Sequence, residues 1–391
     1  MRKIGLYLGV DPSAGGMYQY NLAMLDAVSA LPQDQYRVVI AFSSPAWASE
    51  LHDLDGKVVP AHDGLWRRLF WKVWRMFDLP IAAARTLSSY LDPLVRTLQK
   101  ERCDLWIFPS QDTLSFQSAV PALSAIHDLM HRYERRFPEV SEQSIYRHRE
   151  WTYRNICSWA IGILVDSAIG KQQVMESYGR TGERIFVLPY VPPRYMHVQK
   201  VPDGFDARYT LPDKFILYPA HFWEHKNHKR LIGAIGLLKD VLPDMRLVLV
   251  GSAKDGYRSA IGEIQRLKLE KEIVILGHVS DTDMPELYRR ARALVMPTHF
   301  GPTNIPPLEA FLVGCPVAVS GIYGIPEQVG DAALLFDPES VEEIAKCVER
   351  LWTDDALCIM LAARGKQRAA AWGQEQFNAR LREIIDVVLC S

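Results

Sequence analysis

Residues 214–337 alternate short apolar runs with amphipathic helical stretches, and this alternation restricts the fold more than any other feature. The apolar runs have the length and composition of strands: KFILYPA, RLVLVG, EIVILG, ALVMPT, PVAVS and AALLFD. Between them lie helical stretches such as KRLIGAIGLL, GYRSAIGEIQRLKL and DMPELYRRA. Strands that are apolar on both faces must be covered on both faces, so the pattern predicts a parallel sheet between two layers of helices.

The first half of the chain repeats this pattern less regularly. Its strand-like runs are KIGLYLGV, YRVVIAF, DLWIFP, SAIHD, GILVDS and RIFVLP. Between the halves lies PYVPPRYMHVQKVPDGFDARYTLPD, which is rich in proline and has no periodicity, as in a linker. With 391 residues, 48% of them hydrophobic, the chain can bury two cores. We expect an N-terminal domain at 1–192, a linker at 193–212, a C-terminal domain at 213–374, and a helix at 375–391 that returns to the N-terminal domain.

Composition excludes several classes of function. The net charge is -1, so no global field attracts nucleic acid, and we expect no nucleic-acid partner. The six cysteines form no CxxC pair, which is typical of reduced thiols in a cytosolic protein. The first apolar run is cut off by Asp11 and Pro12, and no other run reaches about 18 residues. We therefore expect a cytoplasmic protein that is neither exported nor membrane-spanning.

In parallel sheets, ligands bind beyond the carboxyl ends of the strands, so the loops there hold the candidate site residues. Gly15 and Gly16 follow the first strand and open a helix, where a ligand could approach the backbone, although a plain tight turn fits as well. His127 and Asp128 end the run SAIHD, and His131 follows it. The histidine pair has no third metal ligand, which leaves a polar substrate contact or an ordinary loop histidine.

Two loops of the second half favour an anion. In HFWEHKNHKR, the histidines His221, His225 and His228 surround Lys226, and the lysine favours phosphate over zinc. In THFGPTNIPPLEAF, Pro306 and Pro307 fit the first turn of a helix, whose free amides would face an anion. Glu309, in the first turn of that predicted helix, could accept hydrogen bonds from the hydroxyl groups of a sugar. The acids Asp281 and Asp283 stand at a helix start, where capping explains them better than a metal.

Taken together, these loops resemble the GT-B glycosyltransferases of the large retaining family 4 over nearly the whole chain. The most specific run is PTHFGPTNIPPLEAFLVGCPVAVSGIYGIPEQVGDAALLFDP, supported by HKNHKRLIGAI, GHVSDTDMPELYRRA and AIHDLMH. The resemblance implies an α/β fold of two Rossmann-like, doubly wound parallel-sheet domains that face each other across a cleft. It implies that the C-terminal domain binds a nucleotide sugar and that the N-terminal domain binds the acceptor.

The resemblance also assigns roles to single residues. Glu309 matches the acid that holds the donor ribose, Lys226 the base that binds the diphosphate, and His127 the contact to the transferred sugar. We therefore expect these three to be catalytic and His221 to assist Lys226 in its protonated form. The remaining donor-binding residues implied are Gly15, Gly16, Thr303, Asn304 and Ile305, and the residues implied on the acceptor side are Asp128 and His131.

Two positions depart from the family pattern. The family has a second acid eight residues before Glu309, where this chain has Gly301. It also commonly has an arginine six residues before the lysine, where this chain has Ala220. The departures indicate a subgroup with altered sugar contacts.

The stretch GLWRRLFWKVWRMFDLP predicts a helix with an aromatic stripe and four basic residues. The stripe comprises Trp66, Leu69, Phe70, Val73, Trp74 and Phe77, and Trp71 falls outside it. The basic residues are Arg67, Arg68, Lys72 and Arg75. Two interpretations stay open: a helix on an anionic membrane surface, where lipid-linked acceptors are found, or a helix that packs its stripe on the first sheet.

The resemblance implies a retaining enzyme that moves a hexose to a glycan or lipid-linked acceptor during synthesis of a surface polysaccharide such as an O-antigen. Family frequency favours mannose from GDP-mannose as the hexose. We expect a GDP- or UDP-linked donor as substrate, no cofactor, no metal, and peripheral contact with the inner face of the membrane. Two alternatives are a nucleotide-sugar epimerase of the same fold and a non-catalytic scaffold subunit of a polysaccharide-assembly complex.

Overall fold

The computed structural model describes residues 1–52, 54, 56–61, 64–77 and 79–390. Leu65, Trp66 and Arg68 are described by their backbone alone. The chain divides into two compact units. Unit 1 contains Met1–His131, Gln143–Tyr190 and the C-terminal segment from Gln374, and unit 2 contains Arg132–Glu142 and Val191–Gly373.

Each unit is built on one parallel sheet, as the alternation of apolar runs predicts. Within the described residues, the sheet of unit 1 has the strands β1 (Arg2–Leu8), β2 (Tyr36–Phe42), β3 (Lys57–Pro60), β4 (Leu105–Phe108), β5 (Ala122–Ala125), β6 (Gly162–Val165) and β7 (Ile185–Val187). The sheet of unit 2 has β8 (Ile216–Pro219), β9 (Leu247–Val250), β10 (Ile273–Gly277), β11 (Ala293–Met296), β12 (Val317–Ser320) and β13 (Ala333–Phe336).

The strand orders place a reversal in the middle of each sheet. The order is β3-β2-β1-β4-β5-β6-β7 in unit 1 and β10-β9-β8-β11-β12-β13 in unit 2. In unit 1, Ile4 of β1 pairs with Val38 on one side and Leu105 on the other. In unit 2, Ile216 of β8 pairs with Leu247 and Ala293. The loops after β1, β4, β8 and β11 therefore flank the points where open parallel sheets bind ligands.

The helices cover these sheets. Along the described chain they are α1 (Gly16–Ser29), α2 (Trp47–Glu50), α3 (Leu65–Met76), α4 (Ile81–Leu91), α5 (Pro93–Lys100), α6 (Leu114–Gln117), α7 (Met130–Tyr133), α8 (Pro138–Ser141), α9 (Gln143–Trp159), α10 (Ala168–Tyr178), α11 (Phe205–Arg208), α12 (His228–Leu238), α13 (Tyr257–Leu267), α14 (Met284–Arg290), α15 (Pro306–Val313), α16 (Ile325–Val329), α17 (Val341–Thr353), α18 (Asp355–Ala371) and α19 (Gln374–Cys390). None of these described helices combines the length and the apolar composition needed to cross a membrane.

The sequence did not indicate β3, a short edge strand with one paired neighbour and half-exposed side chains. Its four residues give too few positions for a periodic signal. The last helix, α19, belongs to unit 1. It packs against α1, with Phe377 against Tyr20 at 6.0 Å between ring centroids.

One segment lies outside the domain boundary expected from the sequence. Residues 132–142 fall within the range assigned to the N-terminal domain, yet they belong to unit 2. Tyr323 donates a hydrogen bond to Glu134 (2.6 Å), and Phe137 stacks on His299 with ring centroids 5.4 Å apart. These contacts are long-range, so a reading of local periodicity could not reveal them.

Candidate functional site

The loop after β8 positions Lys226 at the point where the sheet of unit 2 reverses. Asn227 has φ +60° and donates its side-chain amide to Pro297 O (2.9 Å) and Pro338 O (2.8 Å). Tyr218 donates its hydroxyl to the backbone oxygen of Lys226 (2.8 Å). The lysine backbone is thus fixed, and its Nζ lies 3.3 Å from Asn304 Oδ1 in the loop after β11. The structure brings these two predicted donor residues together.

The loop after β11 explains why Gly301 stands where the family has an acid. Gly301 has φ +129°, and a Cβ there would lie 2.4 Å from Asn304 Nδ2. The backbone of Asn304 is held in turn by Gln328, which accepts from its N–H (3.0 Å) and donates to its carbonyl (2.6 Å). A side chain at position 301 would therefore have to displace the side chain of Asn304, whose Oδ1 contacts Lys226 Nζ. The sequence analysis missed Gln328.

The start of α15 offers fewer backbone amides than expected. Pro306 and Pro307 have no N–H, the N–H of Asn304 is taken by Gln328, and the N–H groups of Leu308 and Glu309 bond to Ile305 O. The group left open is a side chain: Asn304 Nδ2 is buried and has no acceptor within the described part of the chain. A buried amide without a partner is costly, so this donor suits a ligand oxygen.

Glu309 is buried, and two tyrosine hydroxyls hold its carboxylate. Tyr195 donates to Oε1, and Tyr288 donates to Oε2 (2.5 Å). Burial raises the pKa of Glu309, and the two tyrosine hydrogen bonds oppose that rise. Each carboxylate oxygen can accept a second hydrogen bond, so the ribose role remains a prediction that these contacts permit.

His221 differs from expectation in its charge. Its Nδ1 accepts the N–H of Ser252 (3.0 Å), which leaves the ring proton on Nε2. Burial lowers the pKa of His221, and the nearby charges of Lys254, His278 and Lys226 lower it further. The expected protonated His221 is therefore disfavoured, and the residue offers one neutral N–H donor.

His225 belongs to a cluster that the sequence did not indicate. Both its backbone N–H (3.0 Å) and its ring Nδ1 (2.6 Å) donate to Glu139 Oε1. Burial alone would raise the pKa of Glu139, but the hydrogen bonds from the ring and the backbone N–H of His225 lower it. An ionised carboxylate from segment 132–142 thus stands beside the residue that precedes Lys226.

Two further predicted features of this region are structural. His228 is buried and stacks on Phe222 at 4.2 Å between centroids, and burial lowers its pKa to about 3. Asp283 begins α14 but makes no side-chain capping bond, so the capping explanation is wrong for this residue. Its carboxylate accepts instead from Arg208 (2.6 Å) and Tyr209 (2.9 Å).

In unit 1, the predicted residues lie at the ends of β1 and β5. Gly15 has φ +57° and precedes Gly16, the first residue of α1, and a Cβ on Gly15 would meet open space. His127 donates from Nε2 to Pro109 O (2.7 Å), and its Nδ1 accepts from Tyr190 OH (2.9 Å). Burial lowers the pKa of His127, so the ring is neutral. A sugar contact by either ring nitrogen would have to replace one of these partners.

The two residues expected on the acceptor side serve the fold of unit 1. Asp128 pairs with Arg149 and accepts the N–H of Met130 (2.9 Å). His131 is 0% exposed, and its Nε2 lies 3.3 Å from Glu150 Oε2. Burial lowers the pKa of His131 to about 4. His131 therefore cannot meet an acceptor in this arrangement, because no part of its ring reaches the surface.

A polar pair in the loop after β4 was missed by the sequence analysis. Asp112 Oδ2 and Gln111 Nε2 are both buried and have no hydrogen-bond partner among the described residues. Burial raises the pKa of Asp112 to about 7, although Arg67 opposes the rise. The loop lies at the reversal of the sheet, and Asp112 Oδ1 stands close to Gly9 after β1. Because both side chains are partly exposed, whereas His131 is fully buried, this pair is a better acceptor-side candidate in unit 1 than His131.

Helix α3 exposes much of its apolar stripe. Of the stripe, Leu69 is 53% exposed, Val73 47%, and Phe77, just beyond the helix, 64%; Met76, outside the stripe, is 66% exposed. Trp71, outside the predicted stripe, is buried. The interpretation that the stripe packs on the sheet is therefore wrong for these residues. Phe70 and Trp74 are half-buried and contact each other at 5.2 Å.

The basic residues of α3 have different surroundings. Arg67 lies 3.0 Å from Asp92 and also donates to Gln117, so it is not on the exposed face as expected. Lys72 is exposed, and Arg75 is half-buried against His148. The side chains of Trp66 and Arg68 lie outside what the structure describes.

Over the described residues, no group of three or more His, Cys, Asp or Glu side chains is arranged to hold a metal ion. The absence of a metal requirement remains a prediction.

Comparisons with known proteins identify the domain that carries Lys226 and Glu309. Residues 206–368 match the family described as "Glycosyl transferases group 1". The O-antigen chain mannosyltransferase B of Escherichia coli is 33% identical over 163 residues, which are 41% of this chain and 42% of that protein. The serotype-specific mannosyltransferase WbdA of E. coli is 28% identical over 210 residues, 52% of this chain and 24% of that protein. The chain thus matches less than half the length of these relatives.

Solved structures share the whole fold. HepE of Anabaena, solved with UDP and glucose, has a TM-score of 0.72 at 19% identity over 99% of this chain and 100% of that one. Sucrose-phosphate synthase of Thermosynechococcus elongatus has a TM-score of 0.73 at 18% identity over 99% and 98%. These likenesses concern the fold alone, and they confirm the predicted GT-B class of two parallel-sheet α/β domains.

Proposed function

Because residues 206–368 match the glycosyl transferases group 1 family, we propose that this chain is a retaining glycosyltransferase that moves mannose from GDP-mannose to a growing surface glycan. The observation that carries the proposal is the cationic Nζ of Lys226, held beside Asn304 at the reversal of the parallel sheet of unit 2. A cation and an unpaired amide donor suit the diphosphate of a nucleotide sugar.

The choice of mannose rests on sequence likeness. The two E. coli relatives named as mannosyltransferases are 33% and 28% identical, whereas the HepE structure that contains UDP is 19% identical. GDP-mannose is therefore the donor of choice, and UDP-linked sugars are the alternative.

The proposed chemistry requires stabilisation of the negative charge on the departing diphosphate and no protein nucleophile. The bond between the anomeric carbon and the donor phosphate oxygen breaks, the acceptor hydroxyl oxygen bonds to the same face of that carbon, and its proton passes to the departing phosphate. Negative charge develops on the diphosphate, where Lys226 and the neutral N–H of His221 stabilise it. These groups supply the charge without a divalent ion, so activity should persist in excess EDTA.

The acceptor is proposed to be a glycan attached to lipid. Asp112 Oδ2 and Gln111 Nε2 in unit 1 offer an acceptor and a donor that suit sugar hydroxyls. The exposed side chains Leu69, Val73 and Met76 of α3 support peripheral contact with a membrane, since their spacing groups them on one face of the helix and the exposed Lys72 adds a positive charge. We place the enzyme on the cytoplasmic side, at the inner face of the membrane.

The test combines binding with product analysis. Thermal shift with GDP-mannose, GDP-glucose, UDP-glucose and dTDP-glucose should show the largest shift for GDP-mannose, because a ligand at 100 times its Kd adds about 2.7 kcal/mol to stability. Incubation of the selected donor with a lipid-linked glycan should give an α-linked mannoside. No shift with any sugar nucleotide would overturn the proposal.

The same assay separates the two alternatives. An epimerase would convert the labelled donor into a new sugar nucleotide without any acceptor. A scaffold subunit would bind the nucleotide but give no product with any lipid acceptor.

A further inference from the structure

Segment 132–142 brings a carboxylate from the first half of the sequence into unit 2. The segment is anchored by Glu134 to Tyr323, by Arg136 to Glu339, and by Phe137 stacked on His299. Glu139 lies near its end, at the start of α8. None of the family motifs described above contains this residue.

The two oxygens of Glu139 are in different situations. Oε1 accepts two hydrogen bonds from His225, one from the backbone N–H and one from the ring. Oε2 is buried and accepts no hydrogen bond from any described residue, and the side chain as a whole is 7% exposed. A buried, ionised oxygen without a donor is unfavourable, so this atom is suited to a donor that arrives with a ligand.

The position of Glu139 indicates which part of a ligand it would meet. Its partner His225 is followed directly by Lys226, and the N–H of His299 donates to His225 O (2.8 Å). Segment 132–142 thus contacts both loops that carry the proposed donor site: Glu139 contacts His225 after β8, and Phe137 contacts His299 after β11. A carboxylate repels a diphosphate but accepts hydrogen bonds from sugar hydroxyls, so the sugar is the compatible partner.

We propose that Glu139 Oε2 accepts a hydrogen bond from a hydroxyl of the donor sugar, so that segment 132–142 completes the sugar subsite of unit 2. The inference rests on the proposed function, because it takes a nucleotide sugar as the ligand. It also gives a physical place for the carboxylate that position 301 cannot hold, since Asn304 fills the space next to Gly301. Glu139 is then a specificity-determining residue.

The variant Glu139→Gln tests the role of Oε2 separately from that of Oε1. Its amide oxygen can keep both hydrogen bonds from His225, because those donors require an acceptor at that point. Its NH₂ replaces Oε2 and donates where the sugar hydroxyl needs an acceptor. By calorimetry, we expect the Kd for GDP-mannose to rise at least tenfold and the Kd for GDP to stay within about twofold of the parent value.

The matched control is Glu134→Gln, which changes another anchor of the same segment at its contact with Tyr323. If the segment matters only as a packed unit, both variants will change the two Kd values alike, and the inference is wrong. An unchanged Kd for GDP-mannose in Glu139→Gln would also overturn it. Monodeoxy analogues of GDP-mannose, each lacking one sugar hydroxyl, give a second measurement. Removal of the hydroxyl that donates to Glu139 should weaken analogue binding to the parent but not to the variant.

Failure of this inference differs from failure of the proposed function. If the parent binds none of the sugar nucleotides, the function is wrong, whatever Glu139 does. If the parent binds GDP-mannose and Glu139→Gln binds it equally well, only the role of Glu139 falls.

Discussion

Lys226 is the residue at which the proposed chemistry can be tested most directly. Its charge matters most when the diphosphate leaves, so Lys226→Ala should raise the activation free energy by on the order of 3 kcal/mol, which lowers kcat about a hundredfold. GDP binding should weaken much less. Single-turnover rates at saturating donor would measure the effect. Lys229→Ala, an exposed lysine three residues on, removes the same charge and should leave the rate near the parent value.

Gly301 provides a second test at the residue scale. Gly301→Glu restores the acid that the family pattern contains, but the side chain would meet Asn304 Nδ2 and the backbone has φ +129°. We expect the free energy of unfolding to fall by about 1–3 kcal/mol and donor affinity not to improve. Denaturant unfolding would show this, with Gly262→Glu as the control because a Cβ there meets open space. A stable Gly301→Glu variant with tighter donor binding would contradict the account of this loop.

At the scale of elements, substitutions in α3 can test membrane binding and packing separately, because the helix has both exposed and buried apolar residues. Replacing Leu69, Val73 and Met76 with serine should remove binding to phosphatidylglycerol vesicles and leave the free energy of unfolding almost unchanged, since all three are exposed. Trp71→Ala should do the opposite, with a loss of roughly 3–5 kcal/mol of stability, because Trp71 is buried.

Vesicle co-sedimentation at low and high salt is the measurement for α3. The matched control replaces Val241 and Ile359 with serine, two exposed apolar residues of unit 2. Parent protein that stays in the supernatant with anionic vesicles would refute the membrane contact.

At the scale of the whole molecule, buried neutral histidines make stability depend on pH. The pKa of His131 is about 4 in the folded chain, below the value of about 6.5 in an unfolded chain. The unfolded chain therefore binds more protons between these values, so stability is full above pH 6.5 and falls as the pH approaches 4.

We expect His131 alone to account for roughly 2 kcal/mol of lost stability between pH 7 and pH 5. His131→Gln should flatten the pH dependence of the unfolding free energy in that range, and His197→Gln, at an exposed position, should not. Equal slopes in the parent and His131→Gln would show that His131 is already charged in the folded protein.

The sequence alone determined the architecture. Twelve of the described strands were predicted because each is a continuous apolar run between helical stretches, and a run that is apolar on both faces fits only a covered parallel sheet. It also located Lys226 and Asn304 on loops, and Glu309 in the helix after the second loop, at one end of the second sheet, since the carboxyl ends of parallel strands meet at the same edge.

Tertiary structure alone decided which of those groups have partners. Glu139 with His225, Gln328 with Asn304, and Tyr195 with Glu309 are pairs separated by 86, 24 and 114 residues along the chain. Likewise, α3 exposes Leu69 and Val73 of its apolar stripe and buries Trp71, although its periodicity allowed the reverse. Local patterns report which face of an element is apolar, but burial and hydrogen bonding depend on what packs against that face. For this protein, that information lies in contacts between residues far apart in sequence.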